Sequence, residues 1–189
     1  MKDLKSLNHL IEVLEELPSI GKKSATRLAL SLAKDKFKAL KLVNALENVI
    51  SNIGECKICG NFSEHEICNI CDDSLREKIL AIVENPKDIL IIEESGSYKG
   101  YYFVLASLDD EHLQKLKNLI KVYGIKEVIF AFPPSIENEA KILLLEDRLK
   151  KTNVKFSQIA QGVPTGVHFE NVDINSLATA IKLRFKLKE

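Results

Sequence analysis

The 189-residue sequence has no apolar run approaching the roughly 18 residues that a membrane-spanning helix needs, so no bilayer span is expected. Its opening, MKDLKSLNHL, carries charge where a secretion signal carries an apolar stretch, and a cytoplasmic protein is therefore expected. No cysteine lies outside residues 56–71, which excludes the scattered disulfide framework of a secreted fold. A Walker phosphate loop is missing too: Gly96 to Gly100 encloses Ser97, Tyr98 and Lys99 without a following Lys-Ser or Lys-Thr. No Ser-His-Asp or Cys-His arrangement is legible, and no repeat or low-complexity segment is visible. Neither sign of charge dominates, with 27 basic residues against 27 acidic. The remaining composition, 46% hydrophobic and 29% charged, suits a soluble globular chain of one generous domain or two small ones.

What is present begins with the cysteines, arranged as Cys56-x2-Cys59-x8-Cys68-x2-Cys71. Two Cys-x2-Cys loops each aim two thiolates at one point, which is the ligand set of a tetrahedral zinc. A redox dithiol would need one pair at the start of a helix following a strand, and that context is missing. Four thiolates fill the coordination shell and leave no open position for water or substrate, so the metal is expected to be structural. His65, inside the loop, is surplus to the ligand count and is expected to be a solvated loop residue.

Upstream, Leu7, Leu10, Ile11 and Leu14 repeat at helical spacing, and Pro18 ends that helix. A second helix is expected after Gly21, with Leu28, Leu32, Ala25 and Ala29 facing inward. A third carries Leu42, Val43, Leu46, Val49 and Ile50 and completes a small helical unit before Gly54. Residues 22–41 hold Lys22, Lys23, Arg27, Lys34, Lys36, Lys38 and Lys41 against Asp35 alone. The turn before the second helix suits a phosphate, because Gly21 admits close backbone approach and the first helical amides point outward at the positive end of the dipole. Lys23 and Arg27, four residues apart, share a face beside the same anion. A solvated basic face is the alternative, and the L-P-S-I-G-K-K-S-A turn favours DNA because it is similar to sequence-independent helix-hairpin-helix backbone binders.

Downstream, short apolar runs at Ile79 to Val83, Tyr101 to Leu105 and Val128 to Phe132 read as strands. Between and after them lie amphipathic stretches, with Leu113, Leu116, Leu119 and Ile120 in one and Ala140, Leu143, Leu144 and Leu149 in the other. This alternation predicts a parallel sheet covered on both sides. Asn85-Pro86 reads as a cap with proline at the first helical position, so Ile89 to Ile92 is expected in a short helix. From Ile181 to Lys188 apolar and basic residues alternate. That pattern favours an edge strand over the frayed end of a helix begun near Ile174.

Glu84 stands at the end of the first of these strands, where open α/β sheets meet their ligands. With Glu137 and Glu139 it could supply carboxylates for one or two Mg²⁺ ions and nuclease, primase or topoisomerase chemistry. The simpler alternative makes Glu137 and Glu139 helix-capping acids that favour the dipole, with Glu84 left open.

The order L-P-S-I-G-K-K-S-A-x-R-L-A, C-K-I-C-(x8)-C-N-I-C, I-V-E-N-P-K-D-I, Y-F-V-L, P-P-S-I-E-N-E-A and I-A-Q-G-V-P-T-G resembles the RecR family of bacterial recombination mediators over nearly the whole chain. The resemblance implies an α/β protein with an N-terminal all-α helix-hairpin-helix unit (1–54), a small four-cysteine zinc finger (55–77), a Toprim-like parallel-sheet domain (78–162) and a C-terminal segment (163–189). It also implies zinc on Cys56, Cys59, Cys68 and Cys71, and DNA contact through Lys23 and Arg27 beside Gly21 and Lys22. Glu84 becomes the Toprim acidic residue, serving partner contact or the interior of the assembly. Implied too are a non-enzymatic role, ring-like homodimers or homotetramers that encircle DNA, and RecO and RecF partners in loading a recombinase onto gapped DNA. The chain departs from the family in several places. Ser19 and Lys22 replace a usual glycine and proline, and the loop between Leu105 and Glu111 is short. Asn138 and Val167 replace glycines, and Gln161 replaces a basic residue. A Mg²⁺-dependent Toprim enzyme and a zinc-stabilised adaptor that binds only protein are the competing functions.

Overall fold

The computed structural model describes residues 4–160, 162–163 and 166–183. The chain divides into two units, Met1–Ile53 and Gly54–Glu189.

The first unit is helical: α1 (Lys5–Glu15), α2 (Lys22–Lys34) and α3 (Lys36–Asn52). Ile11, Ala25 and Ala29 are buried together, with Leu7, Leu10, Leu14 and Ile20 packed around them. Alanines at the contact let α1 and α2 approach closely, and the larger Leu28 is turned outward at 39% exposure. Ala25 and Ala29 face inward as expected, Leu32 is half-buried, and the expectation for Leu28 is corrected. Asp35 caps α3 by accepting the Lys38 amide at 3.0 Å. Helix α3 completes the helical unit as the periodicity predicts, but none of its residues is buried, and Leu42, Val43, Leu46, Val49 and Ile50 are all exposed. Their apolar stripe is formed as expected, but nothing among the described residues covers it.

The second unit opens with a two-stranded antiparallel ribbon, β1 (Gly54–Glu55) and β2 (Phe62–Ser63), and one helical turn, α4 (Asn69–Asp72). Then come β3 (Ile79–Val83), α5 (Pro86–Glu94), β4 (Tyr101–Val104), α6 (Asp110–Tyr123), β5 (Glu127–Phe130), α7 (Ile136–Leu149), β6 (Lys155–Gln158) and α8 (Ile174–Lys182). Strands β4-β3-β5-β6 form one parallel sheet, in that order. Alternation along the strands divides the core in two. Leu80, Ile82, Tyr101, Phe103, Val128 and Phe130 face α6 and α7, which contribute Leu113, Leu116, Leu119, Ile120, Leu145 and Leu149. Ala81, Val83, Tyr102 and Val104 face the other way and pack with Ile89 of α5. The sheet is thus covered on both sides, as the alternating pattern implies.

Helix α5 starts at Pro86, with the Asp88 carboxylate accepting the Asn85 amide at 3.2 Å, as the Asn-Pro pair predicts. On α7 the buried residues are Asn138, Leu145 and Leu149, whereas Ala140, Leu143 and Leu144 are exposed. Leu149 is thus buried as expected, and the rest of the expected face is rotated toward Leu145. Ile142 to Leu145 is an unbroken apolar run that carries no phase of its own. Strand β6 has no counterpart among the apolar runs that mark the other strands. Its edge position leaves Phe156 as the main apolar residue inside it. Ile181 and Lys182 are helical in α8 rather than part of an edge strand, and the rest of that alternating segment, beyond Leu183, lies outside the described residues.

Candidate metal centre and nucleic-acid interface

The four cysteines are brought together by two short knuckles. In the first, the Cys56 amide donates to Asn61 O at 2.7 Å and the Gly60 amide to Cys56 O at 2.9 Å. Gly60 takes φ +76°, and a Cβ there would lie 3.3 Å from Cβ of Val104, so glycine serves both the turn and the close approach. In the second, α4 begins directly after Cys68 and returns Cys71 toward the first pair. The ligand atoms all lie within 4.8 Å of one another, and all four side chains are buried. Cys59 Sγ and Cys68 Sγ are 3.6 Å apart, close to the ~3.8 Å that a tetrahedron with metal–sulfur bonds of about 2.3 Å requires. The Cys68 amide also donates to Cys56 Sγ, 3.3 Å away.

The electrostatics call for a cation. The Cys68 thiol is pushed down by hydrogen bonds from Cys59 and Cys71. Cys59 is pushed up chiefly by its contact with Cys68, and Cys71 by its contacts with Cys59 and Cys68. Thiolates packed this closely repel one another, and a soft divalent ion among them relieves that repulsion. The donor set and spacing fit zinc.

This cluster is part of the core of the second unit and not an appendage. The Val104 amide, at the end of β4, donates to Cys59 O at 2.8 Å. Tyr123 Oη donates to Cys71 O at 3.0 Å, and Tyr101 Oη to Asp73 O at 2.9 Å. Just beyond, Arg76 forms a bidentate pair with Glu93, at 2.9 and 2.6 Å, and donates to Gly100 O at 2.7 Å. Tyr102 Oη also donates to Glu93, at 2.8 Å. His65 is exposed, in keeping with a solvated loop residue.

In the helical unit, Gly21 precedes α2 with φ −87° and ψ 169°, and no side chain caps the helix. Lys22, Lys23 and Arg27 are all exposed. A Cβ on Gly21 would meet nothing within 4 Å, so neither backbone conformation nor internal crowding requires glycine there. The uncapped amides and three exposed cations thus lie within the first two turns of one helix, at the positive end of its dipole. Ser19 adopts φ +65°, the left-handed region that glycine occupies without strain.

Glu84 follows β3, and Glu137 and Glu139 lie in the first turn of α7. They do not gather as three ligands. Lys141 Nζ stands between two of them, 3.1 Å from Glu84 Oε1 and 3.0 Å from Glu137 Oε1. Among the described residues, the four cysteines are the group of three or more metal-binding side chains whose donor atoms converge. Asn138 is buried and donates from Nδ2 to Pro133 O at 3.0 Å, a role that a glycine could not fill. Gln161 lies outside the described residues.

Sequence reasoning missed a second polar group. After β4 the short loop brings Ser107, Asp109 and His112 together at the start of α6. Asp109 accepts the His112 amide at 2.8 Å, and Ser107 Oγ lies 2.9 Å from His112 Nδ1. A Ser-His-Asp set for acyl transfer needs serine and carboxylate on opposite ring nitrogens. Here both meet Nδ1, so the arrangement is a helix cap. The signal in the sequence was only the Asp-x-x-His spacing.

Comparison with known proteins follows the same division. The family model of the RecR helix-hairpin-helix matches residues 7–50, that of the RecR four-cysteine zinc finger domain matches 53–73, and a Toprim domain model matches 78–160. The chain is 50% identical over 186 residues to the "Recombination protein RecR" of a Nitratiruptor species, covering 97% of this chain and 98% of that one. It is 49% identical over 189 residues to the protein of that name from Campylobacter jejuni, covering 99% and 100%. It is 42% identical over 186 residues to that of Helicobacter pylori, covering 96% of each. With the three domain models in chain order and relatives that align from end to end, the chain belongs to the RecR family.

Proposed function

We propose that this protein is a non-catalytic, sequence-independent DNA-binding mediator of recombinational DNA repair. The observation that carries the reading is the uncapped start of α2, where Gly21 meets nothing within 4 Å and Lys22, Lys23 and Arg27 are all exposed. Helix amides and cations of this kind hold backbone phosphates and carry no base code, so affinity is shared among sequences. Gly21 leaves room for the phosphate itself. The proposed division of labour follows the proposed domains: 1–54 binds DNA, 55–77 binds zinc, 78–162 is the Toprim body, and 163–189 is the C-terminal segment. Cys56, Cys59, Cys68 and Cys71 hold one structural zinc per chain. Glu84, Glu137 and Glu139 belong to a surface for partner contact and not to a reaction centre.

The exposed stripe of α3 supports a homo-oligomer, a dimer or a tetramer. Leu46 and Val49 are 53% and 56% exposed, and Leu14, Leu28, Leu32, Leu42 and Ala45 line an apolar groove beside that helix. A second copy of the chain would cover that surface, and closed symmetry would arrange several hairpins into a basic ring. In the cytoplasm such a ring, with RecO and RecF partners, would help to load a recombinase onto gapped DNA coated with single-strand-binding protein. The test is a recombinase loading assay on such DNA with the partners present. Wild-type protein should stimulate loading and the variant Lys23→Gln/Arg27→Gln should not. Equal stimulation by the folded variant would place the activity elsewhere, and cleavage of the DNA dependent on Mg²⁺ and on Glu84 would overturn the non-catalytic reading.

A further inference from the structure

The strand order β4-β3-β5-β6 puts the reversal of connection direction between β3 and β5. In open parallel sheets, ligands enter the crevice at the carboxyl ends of the strands beside such a reversal. Two carboxylates border this one from opposite sides, Glu84 after β3 and Glu137 at the start of α7, which follows β5. A cation already stands between them. Lys141, one helical turn beyond Glu137, places Nζ 3.1 Å from Glu84 Oε1 and 3.0 Å from Glu137 Oε1. Its side chain is 27% exposed, that of Glu84 32% and that of Glu137 78%.

We propose that Lys141 is the resident cation of this crevice: its ammonium takes the place between Glu84 and Glu137 that a divalent ion would take, and thereby excludes Mg²⁺ or Mn²⁺ from the acidic position of the Toprim sheet. A magnesium ion holds carboxylate oxygens at about 2.1 Å and keeps several waters. To enter, it would have to expel an ammonium that is paired on both sides and restrained on a helix. Glu137 and Glu84 both raise the Lys141 pKa, so the side chain stays charged through neutral pH and does not vacate the place by losing a proton. Since the contact joins residues 57 positions apart, it also ties the end of β3 to α7. The proposal concerns metal exclusion only and stands apart from the DNA-binding reading, which the hairpin variants test.

The experiment is a calorimetric titration of Mn²⁺ into the full-length, zinc-loaded protein at neutral pH, with electron paramagnetic resonance to count bound ions. The wild type should show no stoichiometric site. Lys141→Met should bind one Mn²⁺ per chain, at least tenfold more tightly than any residual binding to the wild type, and the added change Glu84→Gln should abolish that site. Thermal melting checks that each variant is folded, and Lys141→Gln replaces the methionine variant if it is not. A wild-type site occupied by one Mn²⁺ and lost in Glu84→Gln would overturn the proposal. So would folded Lys141 variants that bind Mn²⁺ no better than the wild type.

Discussion

The salt dependence of the proposed DNA binding is the most direct quantitative test of the hairpin geometry. Each phosphate neutralised on duplex DNA contributes about −0.9 to the slope of log affinity against log salt. Lys22, Lys23 and Arg27 are the exposed cations at the start of α2, so one hairpin has an upper slope of about −2.7. From about 50 to about 200 mM salt, that slope lowers affinity about 40-fold per engaged hairpin. Lys23→Gln/Arg27→Gln leaves Lys22 alone, a slope of about −0.9 and a loss of only about 3.5-fold over the same range. Fluorescence anisotropy on a gapped duplex across a salt series measures both proteins, and the two lines should converge as salt rises. The control is Lys36→Gln/Lys41→Gln, which removes equal charge from α3 and spares the hairpin. A wild-type slope that survives the hairpin variant, or one that falls equally in the control, would refute the assignment and return the basic run to a merely solvated face.

Three further outcomes follow from the second unit and the turn. Chelation, or Cys56→Ser, should disorder the knuckles and lower the melting temperature of the whole second unit, because Cys59 O and Cys71 O are bonded to β4 and α6; circular dichroism and a melting temperature unchanged after verified zinc loss would contradict this. Arg76 holds the Glu93 carboxyl below its ordinary value near 4.5, so this pair's contribution is full above that value and is lost as the pH falls through the lowered one. Denaturation of Glu93→Gln should accordingly show lower stability at neutral pH but a shallower decline on acidification, and parallel curves would count against the linkage. Ser19→Gly removes a side chain from φ +65° and should stabilise the helical unit by up to about 1 kcal/mol in denaturant melts, whereas a destabilised variant would show that the serine relieves its own strain.

What could be read from the sequence was local, and what could not be read depended on distant neighbours. The cysteine cluster was legible because each knuckle is set within four residues and the linker is short. The buried face of α6 was legible because polar pairs separate Leu113, Leu116 and the Leu119-Ile120 pair and so fix its phase. On α7 the run Ile142 to Leu145 supplies apolar residues on every side, and only contact with the sheet selects Leu145 and Leu149. The same limit explains α3, whose periodic stripe says that a surface will be covered but not whether this chain covers it. In α2 the contact is decided by size: Ala25 and Ala29 allow close approach to α1, so the larger Leu28 on the neighbouring face is left outside. The acidic position shows the limit most sharply. Its residue types and its place at a strand end suggest a cation site, and a cation does stand there. Its source is a lysine 57 residues along the chain, brought in by the turn of α7, which no local pattern around Glu84 could disclose.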